Sequence, residues 1–168
     1  MTGGENGGSL TMTDKDGTTV MNASGDSSTL VVKDASGKTV VNATDKGVVM
    51  TDENGKTATY SADSNGNKPA GIPADLPTID GSNFNFFTYS GTTSVTFEVA
   101  DANFKSVCQK QIAVTEGAGW TADANGMTIE GSDTILKAYV KGNETLALSC
   151  GLNDGKTTLG LQKLTKTT

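Results

Sequence analysis

Three copies of one acidic-glycine tetrad constrain the first third of this chain more than any other feature. Asp14-Lys15-Asp16-Gly17, Asp34-Ala35-Ser36-Gly37 and Asp52-Glu53-Asn54-Gly55 share the form D-x-(D/S/N)-G, 20 and then 18 residues apart. Runs of Thr, Val and Met lead into and out of each copy. β-Branched residues on both sides of a turn that closes in glycine specify a hairpin. Three in series specify an antiparallel meander over residues 10–66, with six candidate strands. Side chains alternate between faces along a strand. Leu10 and Met12, Leu30 and Val32, and Val48 and Met50 therefore share one face, and the outgoing strands are expected to place Val20, Val40 and Ala58 there too. A single layer with so few large residues is marginal in isolation. It needs cover from the rest of the chain, from a partner, or from another copy of itself.

Composition removes more function classes than any motif adds. A chain of 168 residues holds one domain or two small ones. Only 35% of it is hydrophobic and 5% aromatic, so any core is thin. The net charge is −6, and all 13 basic residues are lysine. That balance disfavours nucleic acid and anionic membrane as partners. Without arginine there is no planar fork for phosphate or guanine. Without histidine the chain lacks the commonest general base and the commonest transition-metal ligand. No cofactor is expected, and no apolar run reaches the roughly 18 residues of a membrane span. The glycine-rich Met1–Ser9 reads as a flexible tether with no visible signal peptide. The composition resembles that of turn-rich exported proteins; the alternative is a cytosolic protein with a loose N-terminus.

Beyond the meander the pattern changes. Residues 67–82 read as a Pro/Gly linker, in which the prolines of Ile72-Pro73-Ala74-Asp75-Leu76-Pro77 favour an extended path. Residues 83–168 read as an α+β domain with one helix packed on an antiparallel sheet. Phe84–Tyr89 and Ser94–Val99 form a hairpin about Ser90–Thr93. Asp101 is the expected N-cap of a helix over about 102–117. Phe104, Val107, Cys108, Gln111, Ile112 and Thr115 fall on one side of it, and Gly117 or Gly119 supplies the left-handed C-cap. Strands follow at Thr134–Val140, Glu144–Cys150 and Thr157–Leu164, with a short one near Met127–Ile129.

This second half resembles a domain of secreted bacterial proteins and lipoproteins, largely without assigned function. The carriers are Ile72–Pro77 ahead of Asp80-Gly81, the strand ending Val95-Thr96-Phe97, and the helix exit Gly117-Ala118-Gly119-Trp120. The glycine-rich Gly3–Gly8 is similar to the tether behind the acylated cysteine of such lipoproteins. That cysteine is not present, so lipid anchoring would require that it was trimmed away. The resemblance implies a cell-surface location and no catalytic residues.

Candidate sites are few. Calcium needs six to eight oxygens, yet the acidic tetrads lack a closing carboxylate and the second holds only Asp34; the turn explains them better, and no metal is expected. Asn22-Ala23-Ser24, Asn42-Ala43-Thr44 and Asn143-Glu144-Thr145 match the glycosylation pattern at a frequency chance supplies. Cys108 and Cys150 both point into the helix–sheet interface. Opposed, they form a disulfide; otherwise they pack as buried thiols. A cysteine nucleophile has no histidine to activate it. Phe87 and Tyr89 lie opposite Phe84 and Phe86, and with Trp120 they are the candidate partner surface. The alternative for Trp120 is core anchoring, and for the aromatic cluster it is packing between the two domains. Glu98, Asp101, Glu116, Glu130, Asp133 and Glu144 could supply carboxylate pairs.

The expected function is therefore non-enzymatic: an exported surface protein, the ectodomain of a lipoprotein, acting in binding or presentation toward an unidentified protein or cell-envelope partner. One alternative is a structural β subunit that self-associates through its sheet edges. A second is a carboxylate-based polysaccharide hydrolase.

Overall fold

The three acidic tetrads each reverse the chain in the same way. The computed structural model describes residues 2–4, 7–26, 28–63, 67–69 and 71–165. In it the Asp14 carboxylate accepts from the backbone N–H groups of Asp16 and Thr18, both at 2.9 Å. The Asp34 carboxylate does the same for Ser36 and Lys38, and that of Asp52 accepts from Lys56. The closing glycines have φ of 81°, 84° and 80°. A side chain there would have free space but a left-handed backbone that β-carbons resist. Each loop is thus a turn closed by a left-handed glycine, the common form of three-residue hairpin loop.

Two compact units result, residues 1–61 and 62–168. The first is an antiparallel meander of β1 (Thr2–Gly4), β2 (Gly7–Thr13), β3 (Thr19–Gly25), β4 (Leu30–Asp34), β5 (Thr39–Thr44), β6 (Gly47–Thr51) and β7 (Thr57–Asp63). Parts of the expected tether are strand: Thr2–Gly4 pairs with Gly7–Ser9. Met1, Glu5 and Asn6 lie outside the described residues.

The expected face needs one correction. Met12 pairs with Met21 but Thr13 pairs with Thr19, so Val20 is an extra, unpaired residue. Val32 pairs with Val41 but Lys33 with Thr39, so Val40 is another. Each slip shifts the outgoing strand by one residue, which turns every later side chain over. Met21 and Val41, not Val20 and Val40, join the face of Leu10 and Met12. The third hairpin has no slip, and Ala58 stays where expected. Two cross-strand rows result. One runs Leu10, Ala23, Val32, Val41, Met50, Ala58; the other Gly8, Gly25, Leu30, Ala43, Val48, Tyr60.

The second unit holds one sheet in the order β8 (Ser82–Tyr89), β9 (Thr92–Val99), β14 (Lys156–Thr165), β13 (Glu144–Asn153), β12 (Thr134–Lys141), with β10 (Thr121–Ala122) and β11 (Thr128–Glu130) both on β12. All described pairings are antiparallel. The fold is mainly β, and α1 (Phe104–Gly117) packs on this sheet. Its buried residues are Phe104, Val107, Cys108, Gln111 and Thr115, with Ile112 packed at their margin. The N-cap is Asn103, not Asp101: Asn103 accepts from the Ser106 amide, and Asp101 accepts from the Asn103 amide one step earlier. Gly119 has φ of 86° and donates to the Glu116 carbonyl, ending the helix.

The stretch read as a linker belongs to this core. Leu76 is fully buried among the helix and sheet residues. Gln111, itself fully buried, accepts from the Ile79 amide at 3.1 Å and donates to the Pro77 carbonyl at 2.8 Å. The Trp120 indole N–H donates to the Asp75 carbonyl at 2.9 Å. Residues 71–80 therefore form a strap fixed by helix and sheet side chains. Residue 70 of the expected linker, and residues 64–66 at the end of the expected meander, lie outside the described residues.

Candidate functional site

Cys108 on α1 and Cys150 on β13 form a disulfide, with Cα atoms 5.9 Å apart and a separation of 42 residues. Helical spacing brings Cys108 to the sheet. Alternation along β13 places Cys150 beside Leu146 and Leu148, all three buried. The bond is thus an internal staple between the layers.

Trp120 is not part of a partner surface. Its ring is 2% exposed, held by the Asp75 carbonyl and overlaid by the Lys141 ammonium at 5.9 Å. The same ammonium donates to the Ala118 carbonyl at the helix exit. Trp120 anchors the core, the other role the sequence offered.

Phe87 and Tyr89 stay exposed, at 37% and 39%. They lie on the side of β8 away from the helix, whereas Phe84 and Phe86 turn inward, as alternation predicts. Phe84 stacks on Phe97 with ring centres 4.9 Å apart. The outward rows are built mostly of small side chains, with Gln162 and Leu164 the larger members. Phe87 stands beside Ser94, Gln162, Ala147 and Ala138, and Tyr89 beside Thr92, Leu164, Thr145 and Val140. Two aromatic rings thus rise at one margin of a low, open sheet face.

The carboxylates named from the sequence are scattered. Glu98 bonds Asn83 and Lys156, which hold its carboxyl below the usual range, the lysine contributing most. Glu144 bonds Lys163 and Thr165, and Asp133 bonds Thr134. Glu116 and Glu130 line a depression of about 520 Å³ between α1 and the β11–β12 edge. Lys105 and Lys137 share it, and none of its lining residues is aromatic. Asp14, Asp34 and Asp52 each commit one carboxylate oxygen to their own turn, and among the described residues no three acidic or cysteine side chains cluster as a metal site would require.

Sequence reasoning missed one charged cluster. Lys163, 8% exposed, reaches Asp75 on the strap at 2.8 Å and Glu144 at 3.2 Å. Burial alone would lower the ammonium's pKa, but the two carboxylates raise it. The Lys163 hydrogen bond correspondingly lowers that of Asp75. Partners 88 residues apart carry no local signal. Both groups are held charged, so the cluster fixes the strap and supplies no proton-transfer chemistry near neutrality.

No family model, curated protein or solved structure matches this chain.

Proposed function

We propose that this protein is exported and works at the bacterial cell surface by binding or presentation, without catalysis, as a lipoprotein ectodomain. The observation that carries the reading is the open outer face of the second unit's sheet, where Phe87 and Tyr89 stand exposed beside small side chains. Aromatic side chains in such settings supply large contact area for little entropy loss. The buried Cys108–Cys150 bond suits an oxidising compartment, and the net charge of −6 without arginine favours a protein or cell-envelope partner over nucleic acid.

Location is tested by producing the protein from its own gene and shaving intact cells with protease. Digestion from outside supports export; complete protection overturns it. Binding is tested with purified protein and cell-envelope fractions. The Phe87→Ala/Tyr89→Ala variant should bind at least about fivefold more weakly. Unchanged binding removes that face from the proposal.

A further inference from the structure

The meander presents a second open face, and its side-chain sizes say what fits it. Leu10, Met12, Leu30 and Met50 on this face are 44–49% exposed. Large and small residues are distributed along the two rows in a self-complementary way. Consider a half-turn about an axis parallel to the strands and midway between β4 and β5, with the apolar faces of two copies opposed. Each row is mapped onto itself end for end. In the first row Leu10 then meets Ala58, Met50 meets Ala23, and Val32 meets Val41. In the second row Tyr60 meets Gly8, Val48 meets Gly25, and Leu30 meets Ala43. In these two rows every large residue falls over a small one, and two valines meet at the centre. An axis running across the strands instead sets Leu30 on Val32 and Met50 on Val48, crowding the middle of the face.

Charge follows the same symmetry. At the turn end of the face, Asp34 and Lys38 sit opposite each other across β4 and β5. The half-turn that matches the sizes lays each Asp34 over the Lys38 of the other copy. We propose that the meander's apolar face is a two-fold, face-to-face contact between two copies of this chain. Such a contact is isologous and closed, unlike growth through sheet edges. Six strands about 4.8 Å apart and three rows of side chains give a footprint of about 400 Å² per copy. That is small for a specific interface, so association is expected to be weak and concentration-dependent, in the micromolar range or above.

The test is sedimentation of the full chain from about 1 μM to about 500 μM, with circular dichroism to confirm that each variant is folded. The wild type should pass from monomer to dimer and no further. Ala23→Leu sets leucine over Met50 and should weaken association at least tenfold. The swap Ala23→Leu/Met50→Ala exchanges large for small on both copies and should restore it. Growth beyond a dimer, monomer throughout the range, dimerisation indifferent to Ala23→Leu, or a swap no better than the single change would each overturn the contact. The proposal stands or falls independently of the Phe87–Tyr89 face, because none of these substitutions touches the second unit.

Discussion

Gln111 offers the sharpest test of the claim that residues 71–80 are core and not linker. Its amide is fully buried and bridges two backbone groups of the strap, the Ile79 N–H and the Pro77 carbonyl. Gln111→Ala leaves both without a partner. An orphaned buried group costs about 1–3 kcal/mol, and the lower half applies here because the strap is half-buried and water reaches it on partial opening. The expected loss is about 2–4 kcal/mol. Gln111→Glu separates this account from simple packing. The carboxylate still accepts from Ile79 but faces the Pro77 carbonyl with no proton to give. Burial and that carbonyl raise its pKa in the folded state. Its protonated form is then the compatible one, so stability is greatest below about pH 4 and falls as pH rises through the folded pKa. Urea unfolding followed by the fluorescence of Trp120, the single tryptophan and bonded to the same strap, reports both variants. A Gln111→Ala variant within about 0.5 kcal/mol of wild type, or a Gln111→Glu variant indifferent to pH, would refute the assignment.

Further outcomes follow from the same interface. Cys108→Ala/Cys150→Ala opens a loop of 42 residues and should cost about 4 kcal/mol on chain entropy alone, read as a lower urea midpoint. The Tyr139 hydroxyl is buried without a partner among the described residues, so Tyr139→Phe should raise stability by about 1 kcal/mol in the same assay. Burial, with the charge of Glu116 second, pushes the Tyr139 phenol up to about 12. The unfolded chain ionises first, so wild-type stability should fall between about pH 10 and about 12, and Tyr139→Phe should flatten that limb. The Lys163 hydrogen bond holds the Asp75 carboxyl low, a contribution present above about pH 4 and lost in acid. Asp75→Asn should lower stability at neutrality and blunt the acid decline; an unchanged acid limb would count against the strap pair.

Local chemistry made the hairpins legible. An aspartate that caps its own turn and a glycine free to take positive φ act within five residues, so Asp14, Asp34 and Asp52 announced their turns without help from the rest of the chain. The helix face from Phe104 to Thr115 was equally plain, because a period of 3.6 needs no partner to be visible. The inward turn of Phe84 and Phe86 and the convergence of Cys108 and Cys150 followed from the same periodicities. The frame after the first two turns was not legible. Val20 and Met21, like Val40 and Val41, are both apolar, and a one-residue slip leaves no mark in such a pair. The helix cap was ambiguous for a similar reason: Asp101 and Asn103 are both good caps, and their hydrogen bonds are taken in sequence.

The sequence by itself determined where the tetrads reverse the chain, most of the strands, the helix over Phe104–Gly117, and the absence of histidine and arginine that narrows the chemistry. Tertiary structure decided what those segments enclose. The insertion of β14 between β9 and β13, the burial of Leu76 and Trp120, and the pairing of Lys163 with Asp75 all join residues far apart in the chain. A proline-rich strap and a flexible linker have the same local preferences. Only the energy of burying Leu76 and satisfying Gln111 distinguishes them, and that energy exists only once the helix and sheet are in place.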